Sequence, residues 1–273
     1  MPCFAPSLLH FATFVGTSSS MVFPPTHEPT PLPSAASTVT PPQAGLGVWL
    51  RRYRRLLPVP LGIVALAFLK PGLPGGSRTL DTLLDVIGVA CCGLGQGLRL
   101  WAWGSNATVG KHGVRRRGPY LLMRHPLYAG NFLILLGLLL IFNNPIAYPL
   151  FLLPFAYLYQ VITEMEEARM YRRFGTDYQE YRAQPVSRFW PACANLWEAL
   201  QTTRPFGWGF VWRKEYESCC GWIAGAIALE MYESVLQYGW VQSWPYTARG
   251  LLMLGGIGSV VLICKVRQSR VKT

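Results

Sequence analysis

The stretch 118-GPYLLMRHPLYAGN-131 sets Arg124, His125 and Pro126 directly before 132-FLILLGLLLIF-142, an almost unbroken apolar run. Proline is at home in the first turn of a helix, and basic residues flank membrane helices on the cytoplasmic side. The stretch therefore marks the mouth of a membrane span, and it sets the frame for reading the rest of the chain.

Composition agrees. Of the 273 residues, 51% are hydrophobic and only 14% charged, where soluble domains carry about 25% charged residues. The net charge of +12 falls in short clusters between apolar runs, as in the positive loops of a membrane protein and unlike a nucleic-acid-binding tract. Apolar runs lie at about 56–70, 80–103, 127–142 and 146–163, with less regular ones at about 219–240 and 248–264. The first is short for a span. Glu230 and Glu233 interrupt the fifth, which leaves open a helix lying along the interface. The uncharged turn Phe142 to Pro145 makes the third and fourth runs a helical hairpin.

Basic clusters at Arg51–Arg55, Lys111 with Arg115–Arg117, Arg172 to Arg188, and Lys265 to Lys272 alternate with charge-poor turns. Six crossings with both ends cytoplasmic satisfy that alternation. The expected fold class is thus all-α: a multi-pass transmembrane protein of five to six spans with a pocket on the cytoplasmic side. Residues 1–48 form a Pro/Ser/Thr-rich tail expected to be disordered, 49–191 the membrane domain, and 192–273 an extension with one or two further helices. Within the tail, "LLHFATFVG" has the apolar character of a signal-peptide core but no basic residue before it, and Met21 is an alternative start.

None of the seven cysteines forms a C-x-x-C pair, so neither a zinc site nor a thioredoxin-like site is indicated. Those inside apolar runs act as small hydrophobes, and Cys219-Cys220 near a membrane boundary are candidates for acylation. "GLGQG", Gly93 to Gly97, lies within an apolar helix and not between a strand and a helix. Its glycines serve close helix packing and not a nucleotide.

Two polar stretches share one face: Lys111 to Tyr128 and Thr163 to Pro191. Glu164, Glu166 and Glu167 follow the fourth run directly, where carboxylates are costly and a functional site is the default expectation. Glu166 and Glu167 point about 100° apart on a helix, so one can face a pocket while the other does not. The plainer alternatives are an i,i+3 pair of Glu166 with Arg169, an exposed Glu167, and His125 as a polar helix start.

The motifs "GPYLLMRHPLYAGN" and, after a hairpin, "EEARMYRRFGTDYQEYRAQPVSRFWP" resemble the isoprenylcysteine carboxyl methyltransferase and phospholipid methyltransferase family over roughly residues 80–191. These are integral membrane enzymes that use S-adenosyl-L-methionine. The resemblance implies a cofactor pocket lined by His112, Gly113, Val114, Arg115, Tyr120, His125, Pro126, Leu127 and Tyr128. Glu166 would hold the cofactor's ammonium group, Glu167 would support it, and Arg124 would orient the loop. The implied reaction is methyl transfer to a membrane lipid or lipidated acceptor. Prenylcysteine carboxylate O-methylation is favoured, and N-methylation of a phospholipid amine is the alternative. Membrane reductases of similar helical layout, using NADPH, and a non-catalytic scaffold are the competing classes. One departure stands out. Eukaryotic-type prenylcysteine enzymes carry an arginine one helical turn before the glutamates, where this chain has Ile162. Arg188 would substitute only if the tail folds back.

Overall fold

The computed structural model describes residues 62, 68–72, 77–109 and 113–270. The disordered-tail expectation, "LLHFATFVG", Met21, Cys3, Arg51–Arg55, His112 and most of the first apolar run fall outside them. Among the described residues the chain is all-helical, and its one β-type contact is the isolated parallel bridge Met123–Ser187. Two helices are long and apolar enough to cross a membrane: Arg78–Ser105, here α1, and Trp208–Arg270, here α6. Pro126–Phe142 (α2) is apolar but shorter, and Ala147–Phe174 (α3) follows it.

α1 and α2 run antiparallel and nearly touch backbone to backbone. A Cβ on Gly88 would stand 2.6 Å from the Gly137 carbonyl, and one on Gly95 would stand 2.5 Å from that of Gly130. Gly95 thus meets the close-packing expectation for the glycine run. Gly93 and Gly97 face open space.

Asn143, in the left-handed conformation (φ 50°, ψ 46°), closes α2. The Asn144 side chain accepts from the backbone of Ile146 (2.9 Å) and Ala147 (3.2 Å) to start α3. The expected hairpin is therefore present, clasped by Phe132 against Phe155 and Tyr128 against Tyr159. α3 does not stop at the end of its apolar run. It continues as an unbroken helix to Phe174, so all three glutamates sit on a rigid rod. Gly175 (φ 51°) then turns the chain into α4, Thr176–Ala183, and the short α5, Leu196–Gln201, follows.

α6 is a hairpin whose corner is Gly239 (φ 75°, ψ 165°). Its arms lie antiparallel: Lys265 reaches Glu217 at 3.5 Å, Gln268 donates to the Arg213 carbonyl, and Gly250 backs onto Met231. The first arm also runs antiparallel to α1, with Phe210 on Trp103 near one end and Ser218 on Gln96 further along. Glu230 and Glu233 do not break this arm. Glu233 is buried and accepts from Gln237 at 2.6 Å, while Leu229 and Tyr232 pack on the cluster Leu139, Phe142 and Ala147. The arm lies along the bundle, not across it.

The apolar distribution is turned outward. Leu83, Val86 and Leu94 of α1, and Val241, Leu252 and Leu262 of α6, are exposed. Soluble monomers rarely present such continuous apolar surface.

Candidate functional site

The loop after α1 is shaped by two constraints. Gly118 (φ 60°) has no room for a side chain, since a Cβ there would stand 2.8 Å from that of Ser105. Asn106 caps the same turn, its side chain donating to the Arg117 carbonyl at 2.9 Å and accepting from the Arg117 N–H at 3.3 Å. The turn Gly118–Leu121 is buried, and Tyr181 of α4 donates to the Tyr120 carbonyl at 2.7 Å. Burial pushes the Tyr178 hydroxyl up to about 12 and raises that of Tyr181 as well, so both stay neutral donors.

The tail folds back onto this loop. The N–H of Arg124 donates to the Ser187 carbonyl at 2.9 Å, and that of His125 to the Arg188 carbonyl at 3.1 Å. Arg188 then reaches Glu164 at 3.4 Å and Glu167 at 3.3 Å. Glu167 is 5% exposed and is gripped by three groups, with Arg124 at 3.5 Å and His125 Nε2 at 3.1 Å completing the set. Burial alone would raise the Glu167 carboxyl. The hydrogen bond from His125 and the charges of Arg124 and Arg188 outweigh it and hold the group at about 2. The exposed carboxylate that would be the plainer expectation is thus ruled out.

Glu166 points the other way, as the 100° offset requires. Its carboxylate accepts from the Tyr128 hydroxyl at 2.7 Å and faces a cavity of about 980 Å³. Gly113, Val114, Arg115, Tyr120, Arg124, His125, Leu127 and Tyr128 line the same cavity. Two expected residues stand behind its wall: Pro126, fully buried at the first turn of α2, and Glu167, locked in the clamp. Nine of the twelve expected site residues are therefore brought together, and His112 lies outside the described residues.

Further residues in the wall were not expected from sequence. Arg99 and Trp103 come from α1, Asn131 from α2, Phe155 and Tyr159 from α3, and Lys214 and Glu215 from α6. Arg115 lies over the Trp103 ring at 4.4 Å, with Lys214 at 5.7 Å. The polar residues among them sit inside or beside apolar runs, and that is the one signal by which sequence could have picked them out. Nothing local pairs them.

The cavity is lined by Glu166, by the half-buried Arg99, Arg115 and Arg124 and the exposed Arg169, Arg173 and Lys214, and by the apolar Ile134, Leu135 and Leu138 of α2. Such a lining has room for a polar group beside an apolar one. Residues 84–177 match the family model described as phospholipid methyltransferase. The segment belongs to the family of integral membrane methyltransferases that includes the phospholipid and isoprenylcysteine carboxyl enzymes. The match ends short of Arg188 and leaves α6 outside it. No curated protein and no solved structure matches the chain.

Proposed function

We propose that the chain is a multi-pass membrane methyltransferase that transfers the methyl group of S-adenosyl-L-methionine to the headgroup of a phospholipid. The observation that carries this reading is the cavity itself, which joins Glu166 and the Gly113–Arg115 loop to an apolar end within one volume. A sulfonium cofactor of amino-acid type fits the polar end. Glu166, oriented by Tyr128, offers a carboxylate to its ammonium, and Arg115 and His125 lie in the same wall for its carboxylate. His112, Gly113, Val114, Tyr120, Arg124, Pro126, Leu127, Tyr128 and Glu167 complete or support that end. When bound, the cofactor supplies an electrophilic methyl group. The chain's own part is to align an acceptor in line with it and to exclude water.

The same arrangement weighs against a prenylcysteine carboxylate as acceptor. Ile162, at the position of the family's arginine, is fully buried and offers no charge. Arg188 does fold back, but its guanidinium is engaged by Glu164 and Glu167. N-methylation of a phospholipid amine is therefore favoured over O-methylation.

Aromatic residues support a transmembrane placement. Trp190, Trp208 and Trp212 are exposed near one end of the bundle, and Trp240 and Trp244 near the corner of α6. Trp212 to the corner at Gly239 spans about 40 Å of helix, the thickness of a bilayer with its interfaces. We read five crossings in the described helices: α1, α2, α3 and the two arms of α6. The basic residues lining the pocket, Arg115, Arg169, Arg173 and Lys214, support a cytoplasmic placement for it.

The test is label transfer from methyl-labelled cofactor in sealed vesicles, with phosphatidylethanolamine and a farnesylcysteine analogue as separate acceptors. Transfer to the phospholipid, only when cofactor is added on the pocket side, is the expected result. Thermal protection by NADPH but not by S-adenosylhomocysteine would replace this reading with the reductase.

A further inference from the structure

Along α2 the cavity lining passes from Tyr128 through Asn131 to Ile134 and Leu138, and its middle stretch, here called the waist, joins residues far apart in the chain. Arg99 of α1 is held by Glu215 of α6 through two parallel bonds of 2.8 Å, Nε to Oε2 and Nη2 to Oε1. The remaining amino group of Arg99 donates to the Asn131 side-chain oxygen of α2. Asn131 in turn donates to the Tyr159 hydroxyl of α3 at 2.7 Å. Tyr159 packs against Tyr128, ring centroids 4.6 Å apart, and Tyr128 carries the hydrogen bond to Glu166. Gly130 makes the crossing possible, because the Arg99 stem lies where a Cβ would be, 2.6 Å from Arg99 Cγ.

Glu215 is anchored on its far side as well. Gln96 donates to Oε2 at 3.0 Å, and Ser218 donates to the Gln96 oxygen at 3.2 Å. Its side chain is 2% exposed and that of Arg99 15%. The carboxylate is thus fixed from behind, while the guanidinium it steers keeps an edge on the cavity. A guanidinium has five N–H donors, and three are spent here, which leaves two for a ligand.

Building on the methyltransferase reading, we propose that this waist is the subsite for the polar head of the acceptor. Glu215 is its positioning residue. The acceptor's head must lie between the cofactor end and the apolar end, and Asn131 lines the cavity one turn of α2 beyond Tyr128 and one before Ile134 and Leu135, with Arg99 and Tyr159 bonded to it. Glu215 sets the angle of Arg99 and, through Asn131, the hydroxyl of Tyr159. Acceptor selection is thereby written partly in the C-terminal hairpin, outside the family-matched segment 84–177.

The test uses the full chain in nanodiscs with a photoreactive diacyl phosphatidylethanolamine, read beside S-adenosylhomocysteine affinity. Removing both charges together, in Arg99→Gln/Glu215→Gln, avoids stranding a buried ion and should leave the protein folded. Photolabelling is expected to fall at least tenfold while S-adenosylhomocysteine binds within twofold of the native chain. Glu215→Asp keeps the charge pair but withdraws it by one methylene. It should raise the acceptor KM at least fivefold with kcat little changed. Native photolabelling in the double variant, or a native KM in Glu215→Asp, overturns the proposal and leaves the pair a structural strut. Failure of the native chain to bind S-adenosylhomocysteine would instead defeat the methyltransferase reading, and the photolabelling would still decide the lipid subsite.

Discussion

The Glu166 end of the cavity and its waist are built by different logics. At the Glu166 end, Tyr128 meets Glu166 and His125 meets Glu167 across a tight hairpin, and adjacent residues on one helix turn point in different directions. At the waist, Arg99 meets Glu215 across 116 positions of sequence. A helix period and a short turn dictate the first arrangement. The second exists only because the α6 hairpin packs along α1. The Glu166 end is therefore set by local geometry, and the waist depends on how the hairpin docks.

The comparison breaks most sharply at Glu167. Replacing it with Gln strands Arg124, His125 and Arg188 in a buried site, and loss of one partner in such a cluster costs about 3–5 kcal/mol. Membrane abundance and thermal stability in detergent should both fall. Acid should do the same to the native chain. The Glu167 carboxyl is held at about 2, below its ordinary 4.5. The clamp's contribution, on the order of 3 kcal/mol, is therefore complete above pH 4.5 and lost as pH falls through 2. Denaturation midpoints measured from pH 6 down to pH 3 should drop in the native chain, and the slope should flatten in Glu167→Gln.

Glu166→Gln tests the other face of the same turn. It should leave abundance near native while S-adenosylhomocysteine binding weakens by about 2–5 kcal/mol, the usual cost of removing one member of a buried charge pair. Calorimetry in detergent reads this directly. An unchanged dissociation constant would mean that Glu166 does not hold the ammonium.

The smallest expected effect sharpens the waist. Gly95→Ala forces a methyl group against the Gly130 carbonyl and should cost about 1–3 kcal/mol by overpacking. Spreading α1 from α2 also moves Arg99 off Asn131, so the acceptor KM should rise before cofactor affinity changes. Equal loss of both would mean that the two ends are not separable.

Much of the helical layout was legible in the sequence. The apolar runs anticipate α1 and α2 to within two residues at each end, and the uncharged turn at Asn143-Asn144 is where the hairpin closes. The extent of α3 was less so, because the polar turn carrying the glutamates has no apolar periodicity to mark it as helix. Glu230 and Glu233 misled in the opposite direction. They look like breaks, but a helix tolerates a carboxylate that turns inward and finds a donor such as Gln237.

By itself the sequence determined the all-helical class, the two polar stretches that flank the hairpin, and the divergent directions of Glu166 and Glu167. Each of these follows from local periodicity, charge placement and a short turn. Only the tertiary structure decided that Arg188 folds back onto Glu167, and that α6 closes the cavity and sets Glu215 on Arg99. No spacing encodes those pairings. They arise when long helices bury their few polar groups against one another, where a buried charge is tolerated only once it finds its partner.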